Sequence, residues 1–379
     1  MARAGRTAGP RALVVALDPA RNASRVPAML AFAGCRVTAL CPAGTSLAHS
    51  WLIEKCIVMP HDADRAVEAL RTVVDAEHFD FIVIADEALL LALGSRLAPW
   101  MKGVLPFEPD PVTAALILDK NRMLEAMDAA GIPMPAFVTV TARAGLEEAA
   151  ARIGFPLMLK DVVGCGGAGV RRAATPQDLL PAFDSLAPAG EFTVQRFLAA
   201  RSGCTDVLFD HGVPRCWTSA YMLEQWPTAF DAATVRQPVS VPGVVPMLHA
   251  VGAATGFHGL GGVDWIEDEH GGLFFLEFNA RVTHVVGPAR PVFGREIGAM
   301  LAGVPAQPHE VVLPPRPIPV FPAHFIRALK SNRAGLLQWL PLRATSADLD
   351  WRDGGVLGAE LGDLAAGAFR RFKRAARAE

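Results

Sequence analysis

The chain has 379 residues, 36 Lys and Arg against 38 Asp and Glu, and a hydrophobic content of 51%. That length calls for two or three compact units with room for large cores and for an interface between copies of the chain. The near-balance of charge supplies no global field toward nucleic acid or a membrane surface. Six cysteines (Cys35, Cys41, Cys56, Cys165, Cys204, Cys216) form no CxxC pair and no metal-ligand spacing, which reads as reduced thiols in the cytoplasm. No apolar run approaches the ~20 residues of a membrane span.

Residues 1–110 alternate short Val- and Ile-rich runs (13–17, 36–40, 56–59, 81–85) with helical stretches such as Ala63–Ala76. The order predicts a parallel sheet with flanking helices. Ligands gather at the carboxyl ends of such strands, where Asp86 and Glu87 fall; Asp86 is expected to cap the next helix. A helix over 110–130 stops at Gly131, before Pro133 and Pro135. Residues 111–304 then form a second region, with a small α+β unit over 131–210. Strands are expected at 136–140, 156–160, 192–197, 206–210 and 216–222, and helices at Leu146–Ile153 and Pro176–Leu186. Residues 224–246 are Pro-rich and predict a long irregular loop, followed by a helix over 247–255. Residues 305–379 read as a partly helical extension whose basic end, 370–374, suits a helix C-terminus. The fold class is α/β and α+β.

The strongest chemical signal lies at 262–279. Two strands, 262–266 and Leu273–Asn279, flank Asp268, Glu269, His270, Gly271 and Gly272, a hairpin connection. Glu277 and Asn279 are two apart and share a face. A turn centred between Glu269 and His270 puts Asp264 opposite Phe275 on that face. Two carboxylates and an amide oxygen then converge as a hard-oxygen set of the kind Mg²⁺ uses beside phosphates. The alternative is the ordinary surface of an amphipathic hairpin. Against it, Phe274, Leu276 and Phe278 make the strand strongly apolar, and acids in such surroundings pair or bind metal.

Upstream, Lys160 ends a strand and is followed by Gly164, Gly166, Gly167 and Gly169. Glycines 164, 166 and 169 match GxGxxG, the basis for reading an NAD-dependent oxidoreductase, but that motif needs a helix opening at the loop. Here Val170–Ala173 reads as extended, and the next helix begins at Pro176. A flexible glycine lid over a triphosphate suits this better; a plain hairpin loop is the third possibility.

Lysine, glycine lid and carboxylate–amide strand, in this order over 118–303, resemble the ATP-grasp superfamily. Asp119-Lys120, the lid and Val194-Gln195-Arg196-Phe197-Leu198 are similar to its entry segment, lid and hinge strand. The resemblance implies an ATP-grasp fold behind an N-terminal parallel-sheet domain. It implies that Lys120 and Lys160 contact phosphates, that Gln195, Arg196, Phe197 and Leu198 hold adenine by backbone, and that Asp264, Glu277 and Asn279 hold Mg²⁺. Arg281 would touch the transferred phosphoryl group. Arg196 stands where an acid is common and Ala280 where proline often precedes the arginine; Asp206 is the candidate for the ribose. The implied activity is an ATP-dependent ligase that activates a small carboxylate as an acyl-phosphate and couples it to an amine, releasing ADP and phosphate. Arg236 is a catalytic candidate for gripping a carboxylate, with Thr283, His284 and Glu87 as further substrate contacts. Alternatives are a nucleotide-binding regulatory protein without turnover, or a biotin-dependent carboxylase served by a separate carrier, since the chain contains no biotin-attachment segment.

Overall fold

The computed structural model describes residues 9–17, 22–161, 169–186, 190–226, 233–283, 287–330, 348, 350 and 352–363. Strands β1 (Arg11–Val15), β2 (Arg36–Cys41), β3 (Lys55–Val58) and β4 (Phe81–Ile84) form a parallel sheet ordered β3-β2-β1-β4. Helix α1 (Val26–Phe32) connects β1 to β2, α2 (Ala63–Ala76) connects β3 to β4, and α3 (Glu87–Gly94) follows β4. Residues 12–15 of β1 are buried on both faces, as its unbroken apolar run requires. Asp86 caps α3 by accepting from Leu89 N (2.9 Å), while its other oxygen accepts from Leu17 N (2.6 Å). One carboxylate thus ties the end of β1 to the start of α3.

The single helix expected over 110–130 is two: α4 (Pro111–Leu118) and α5 (Lys120–Ala129). Asp119, with extended backbone, interrupts the run and caps α5 by accepting from Asn121 N and Arg122 N. The break places Lys120 in the first turn of a new helix. Gly131, at φ 72°, takes the left-handed conformation that closes α5.

Next come β5 (Phe137–Val140), α6 (Leu146–Ile153), β6 (Leu157–Asp161), β7 (Val170–Ala173), α7 (Pro176–Leu186) and β8 (Phe192–Arg196). They build an antiparallel sheet ordered β5-β8-β6-β7, whose own core joins Leu146, Ile153 and Leu179 to Leu157, Leu159 and Val194.

The remaining strands are β9 (Arg201–Asp210), β10 (Val213–Gln225), β11 (Ala233–Val239), β12 (Gly259–Glu267), β13 (Leu273–Asn279), β14 (His309–Glu310) and β15 (Ile318–Pro319). They form a seven-stranded sheet ordered β13-β12-β9-β10-β11-β15, with β14 pairing to β10. Two expectations change here. The strand expected within the small unit at 206–210 belongs to this large sheet as part of β9. Among the described residues of the expected loop over 224–246, β11 occupies 233–239 and α8 (Val245–Thr255) begins at the end. Two more helices, α9 (Arg290–Leu301) and α10 (Ala323–Lys330), follow. Among the described residues no helix is long and apolar enough to cross a membrane.

Two cores bridge the parallel sheet and the large sheet. One joins Leu13, Val15 and Leu40 to Val207, Phe209 and Trp265; the other joins Val14 and Ala39 to Leu208, Leu260 and Phe293. Within the second core α9 lies against α1. A methyl group at Gly294 would press on the Met29 carbonyl and sit 2.5 Å from Phe32 Cβ. Gly294→Ala is therefore expected to cost about 1–3 kcal/mol through overpacking, read as a lower denaturant midpoint in urea unfolding.

Candidate active site

The site starts from the β12–β13 hairpin. Asp268 closes its loop: its amide donates to Gly272 O (2.9 Å), and its carboxylate accepts from His270 N (2.9 Å) and Gly272 N (2.7 Å). This pairs Glu267 with Leu273 and Trp265 with Phe275, after which the register shifts and Asp264 pairs with Glu277. Asp264 therefore does not oppose Phe275 as expected. Leu276 is an extra residue on β13, a bulge. Without it Asp264 would oppose Leu276, and Glu277 would turn to the other face. With it, both carboxylates face each other across one rung. Asn279 Nδ2 lies 3.3 Å from Asp264 Oδ2 and 3.4 Å from Glu277 Oε1, donating to both.

Two lysines come from other elements. Lys120 Nζ is 3.2 Å from Glu277 Oε2, and Lys160, at the end of β6, lies in the field of Glu277, Asp264 and Lys120. The charges set one another. Burial, then repulsion from Glu277, pushes the Asp264 carboxyl up to about 7. Burial also disfavours Glu277's charge, but Lys120 and Lys160 outweigh it and hold Glu277 down at about 2. Burial works against the Lys120 ammonium, yet Glu277 and Glu87 keep its pKa above the ordinary lysine value. Lys160 is pulled below that value by burial, with Lys120 adding to the effect.

The donor set fits a hard divalent cation: Asp264 and Glu277 supply carboxylate oxygens on one face, and their mutual repulsion is what a cation relieves. Turning the Asn279 amide over presents its oxygen in place of the N–H that now bridges them.

Of the other expected residues, Gln195 is buried on β8 with Nε2 3.5 Å from Pro135 O. Arg196 sends Nη1 to Ile153 O (2.9 Å) and its amide to Ala136 O (2.8 Å), while Phe197 N donates to Pro156 O (3.1 Å). Those two hinge amides are thus engaged within the small sheet; Leu198 follows, partly exposed. Gly164, Gly166, Gly167 and His284 lie outside the described residues. Gly169 O accepts from Asp161 N (2.9 Å), and β7 runs back antiparallel to β6. Among the described residues it is strand β7, not a helix, that follows Gly169, whereas a dinucleotide turn opens a helix.

Arg281 is half-buried and close enough to Asp264 to oppose the rise in its pKa. Arg236 sits on β11 rather than in a loop, only 7% exposed. Asp206 is buried, and Thr283 donates to it.

Sequence reasoning missed Cys204, which pairs with Asp264 across β9 and β12. It also missed the Thr193 hydroxyl, which donates to Asn121 and ties the small sheet to α5. The alternation Cys204, Asp206 along a strand is the signal for the first; nothing local signals the second. A separate cluster, Asp210, His211 and His258, offers three metal-ligand atoms at the far end of β9. There Arg215, buried, already neutralises Asp210 at 3.0 Å.

Residues 119–202 match the family model described as the carbamoyl-phosphate synthase L chain, ATP binding domain. The chain is 30% identical over 199 residues to a chloroplastic biotin carboxylase of Arabidopsis thaliana, covering 46% of this chain and 35% of that protein. It is 27% identical to biotin carboxylase 2 of Bacillus subtilis, covering 51% and 47%. The chain thus spans about a third to a half of these relatives' length. Among solved structures it is similar to N5-carboxyaminoimidazole synthetase from Staphylococcus aureus complexed with ADP, with a TM-score of 0.67, 16% identity and 86% and 85% coverage. The fold is ATP-grasp-like with its N-terminal domain, and the chain is similar to ATP-grasp proteins of the biotin-carboxylase and carboxylate–amine ligase kind.

The carboxylate pair makes stability depend on pH. Asp264's folded pKa stands above its ordinary 3.8, so the folded state holds the extra proton and stability falls as pH rises from about 4 to 7. Glu277 acts in a separate window: the stability it gives is present above 4.5 and is lost as pH falls toward 2. Asp264→Asn is expected to flatten the first slope and largely leave the second, measured by urea unfolding across pH 2–8.

Proposed function

We propose that the protein is an ATP-dependent ligase that activates a small-molecule carboxylate by γ-phosphoryl transfer and couples it to an amine, releasing ADP and phosphate. One observation carries this reading: Asp264, Glu277 and Asn279 converge on one face of the large sheet while Lys120 and Lys160 meet them from α5 and the small sheet. The family model's ATP-binding description and the ADP in the S. aureus relative support it.

Transfer to a carboxylate brings an anion against a polyanion, so the site must neutralise charge and fix an in-line approach. Lys120 and Lys160 would hold phosphate oxygens, and Arg281 the group in flight. Asp264, Glu277 and Asn279 would hold Mg²⁺, which supplies charge neutralisation at those oxygens when bound. The glycines after Lys160 would cover the phosphates, and the residues from Gln195 to Leu198 would flank the adenine. Water exclusion protects the acyl-phosphate until the amine attacks. Arg236 would orient the acid or amine substrate from β11. The corresponding division is an N-terminal domain over 1–110, a core over 111–304 and an extension over 305–379.

Glu277→Gln keeps the shape of the side chain but removes the charge that faces both lysines. ADP release dependent on an acid and an amine is expected to fall by at least about a hundredfold, with the circular dichroism spectrum unchanged. Near-normal turnover would refute the assignment, and AMP with pyrophosphate as products would refute the mechanism.

A second reading, carboxylation with bicarbonate as the acid, is favoured by the biotin carboxylases among the relatives. ADP formation stimulated by bicarbonate alone would select it.

A further inference from the structure

Arg236 and Asp348 line the same cavity, with Ala220, Pro238, Leu313 and Val320 as apolar walls. Arg236 is 7% exposed and Asp348 3% exposed. The Nε and Nη1 of Arg236 are buried and have no hydrogen-bond partner among the described residues; neither does Asp348 Oδ1. The other Asp348 oxygen is engaged, accepting from Phe321 N (3.1 Å) and Arg25 Nη2 (3.4 Å). Buried donors and a buried acceptor of opposite charge thus border one space without pairing. Leaving such groups unsatisfied is expensive.

The cavity belongs to the same face as the acidic rung. Glu277, Asp264, Cys204, Ala220 and Pro238 oppose one another in succession across five strands, and Arg236 lies two residues from Pro238. Two residues along a strand restores the face, and three strand spacings separate β11 from β12, about 14 Å. A ligand between Arg236 and the acidic rung would therefore lie over one continuous surface.

We propose that this cavity takes the zwitterionic head of an α-amino acid, its carboxylate on Arg236 and its ammonium on Asp348, with a small apolar side chain against the walls. The proposal deepens the ligase reading and rests on it: one of the two substrates is an amino acid. A simple carboxylic acid would satisfy Arg236 and leave Asp348 Oδ1 bare; a simple amine would do the reverse. The enclosed free volume is about 10 Å³, room for one water, so entry widens it. One wall is β15, two residues long and paired to Val235 and Arg236 at the edge of the sheet.

Calorimetric titration of the full chain with L-alanine and L-leucine, their des-amino acids (propionate and 4-methylpentanoate) and their amides tests the proposal without any mutation. MgADP binding is measured separately. Both amino acids, or the one whose side chain fits, are expected to bind at least about tenfold tighter than either truncated analogue, since each truncation leaves a buried polar atom of Arg236 or Asp348 without a partner. Asp348→Asn should close the gap between the amino acid and its des-amino form while the amide stays weak. Equal affinity for amino acid and des-amino acid overturns the proposal. So does no binding of any of the three while MgADP binds, the outcome of a cavity that holds a bridging water only. Failure of MgADP to bind counts instead against the ligase reading, and the amino-acid series then decides the cavity by itself.

Discussion

The structure depends on one rung of a hairpin. Leu276, the unpaired residue of the bulge, sets Asp264 against Glu277, and everything charged in the site answers to that pairing. Two carboxylates so placed repel each other at a cost that water does not relieve well in a half-buried position. The protein divides the load unequally. Glu277 keeps its charge because Lys120 and Lys160 face it, and Asp264 holds its proton more tightly because it is buried and faces the Glu277 charge. A charged group placed between them, of either sign, changes this balance directly.

Three parts of the chain supply these groups, and each is held by its own local device. Lys120 owes its position to Asp119, whose cap breaks one long helix into α4 and α5. Lys160 ends a strand of the small sheet, and the Thr193 hydroxyl one strand away fastens that sheet to Asn121 on α5. Glu277 stands on the large sheet, whose hairpin loop is locked by Asp268. None of these devices is chemical in itself, yet together they decide how far apart the charges stand.

Much of this was readable from the residues. Helical spacing marked Ala63–Ala76, Leu146–Ile153 and Pro176–Leu186 at the bounds the structure shows, and the Gly271-Gly272 turn marked the hairpin. Periodicity does not report strand register, so the opposition of Asp264 and Glu277 was hidden; a bulge leaves the alternation of residue types looking intact on either side. The apolar run through 114–118 concealed the cap at Asp119. Prolines 238, 242 and 246 argued for a loop around Arg236, but Pro238 sits near the end of β11, past the two residues that β15 pairs, where a missing N–H costs little. Pairings between distant strands, such as Cys204 with Asp264, leave no mark in the local pattern at all.

The distribution of apolar burial sets which parts of the molecule can move cheaply. The parallel sheet and the seven-stranded sheet share two cores and are locked further by α1 lying against α9, so separating them would expose oil to water. The four-stranded sheet has a core of its own and meets the rest through Phe137 on β5, which packs against the larger core, and through charge and polar links. Part of that attachment is ionic and part apolar, so dissolved salt screens the first and leaves the second in place.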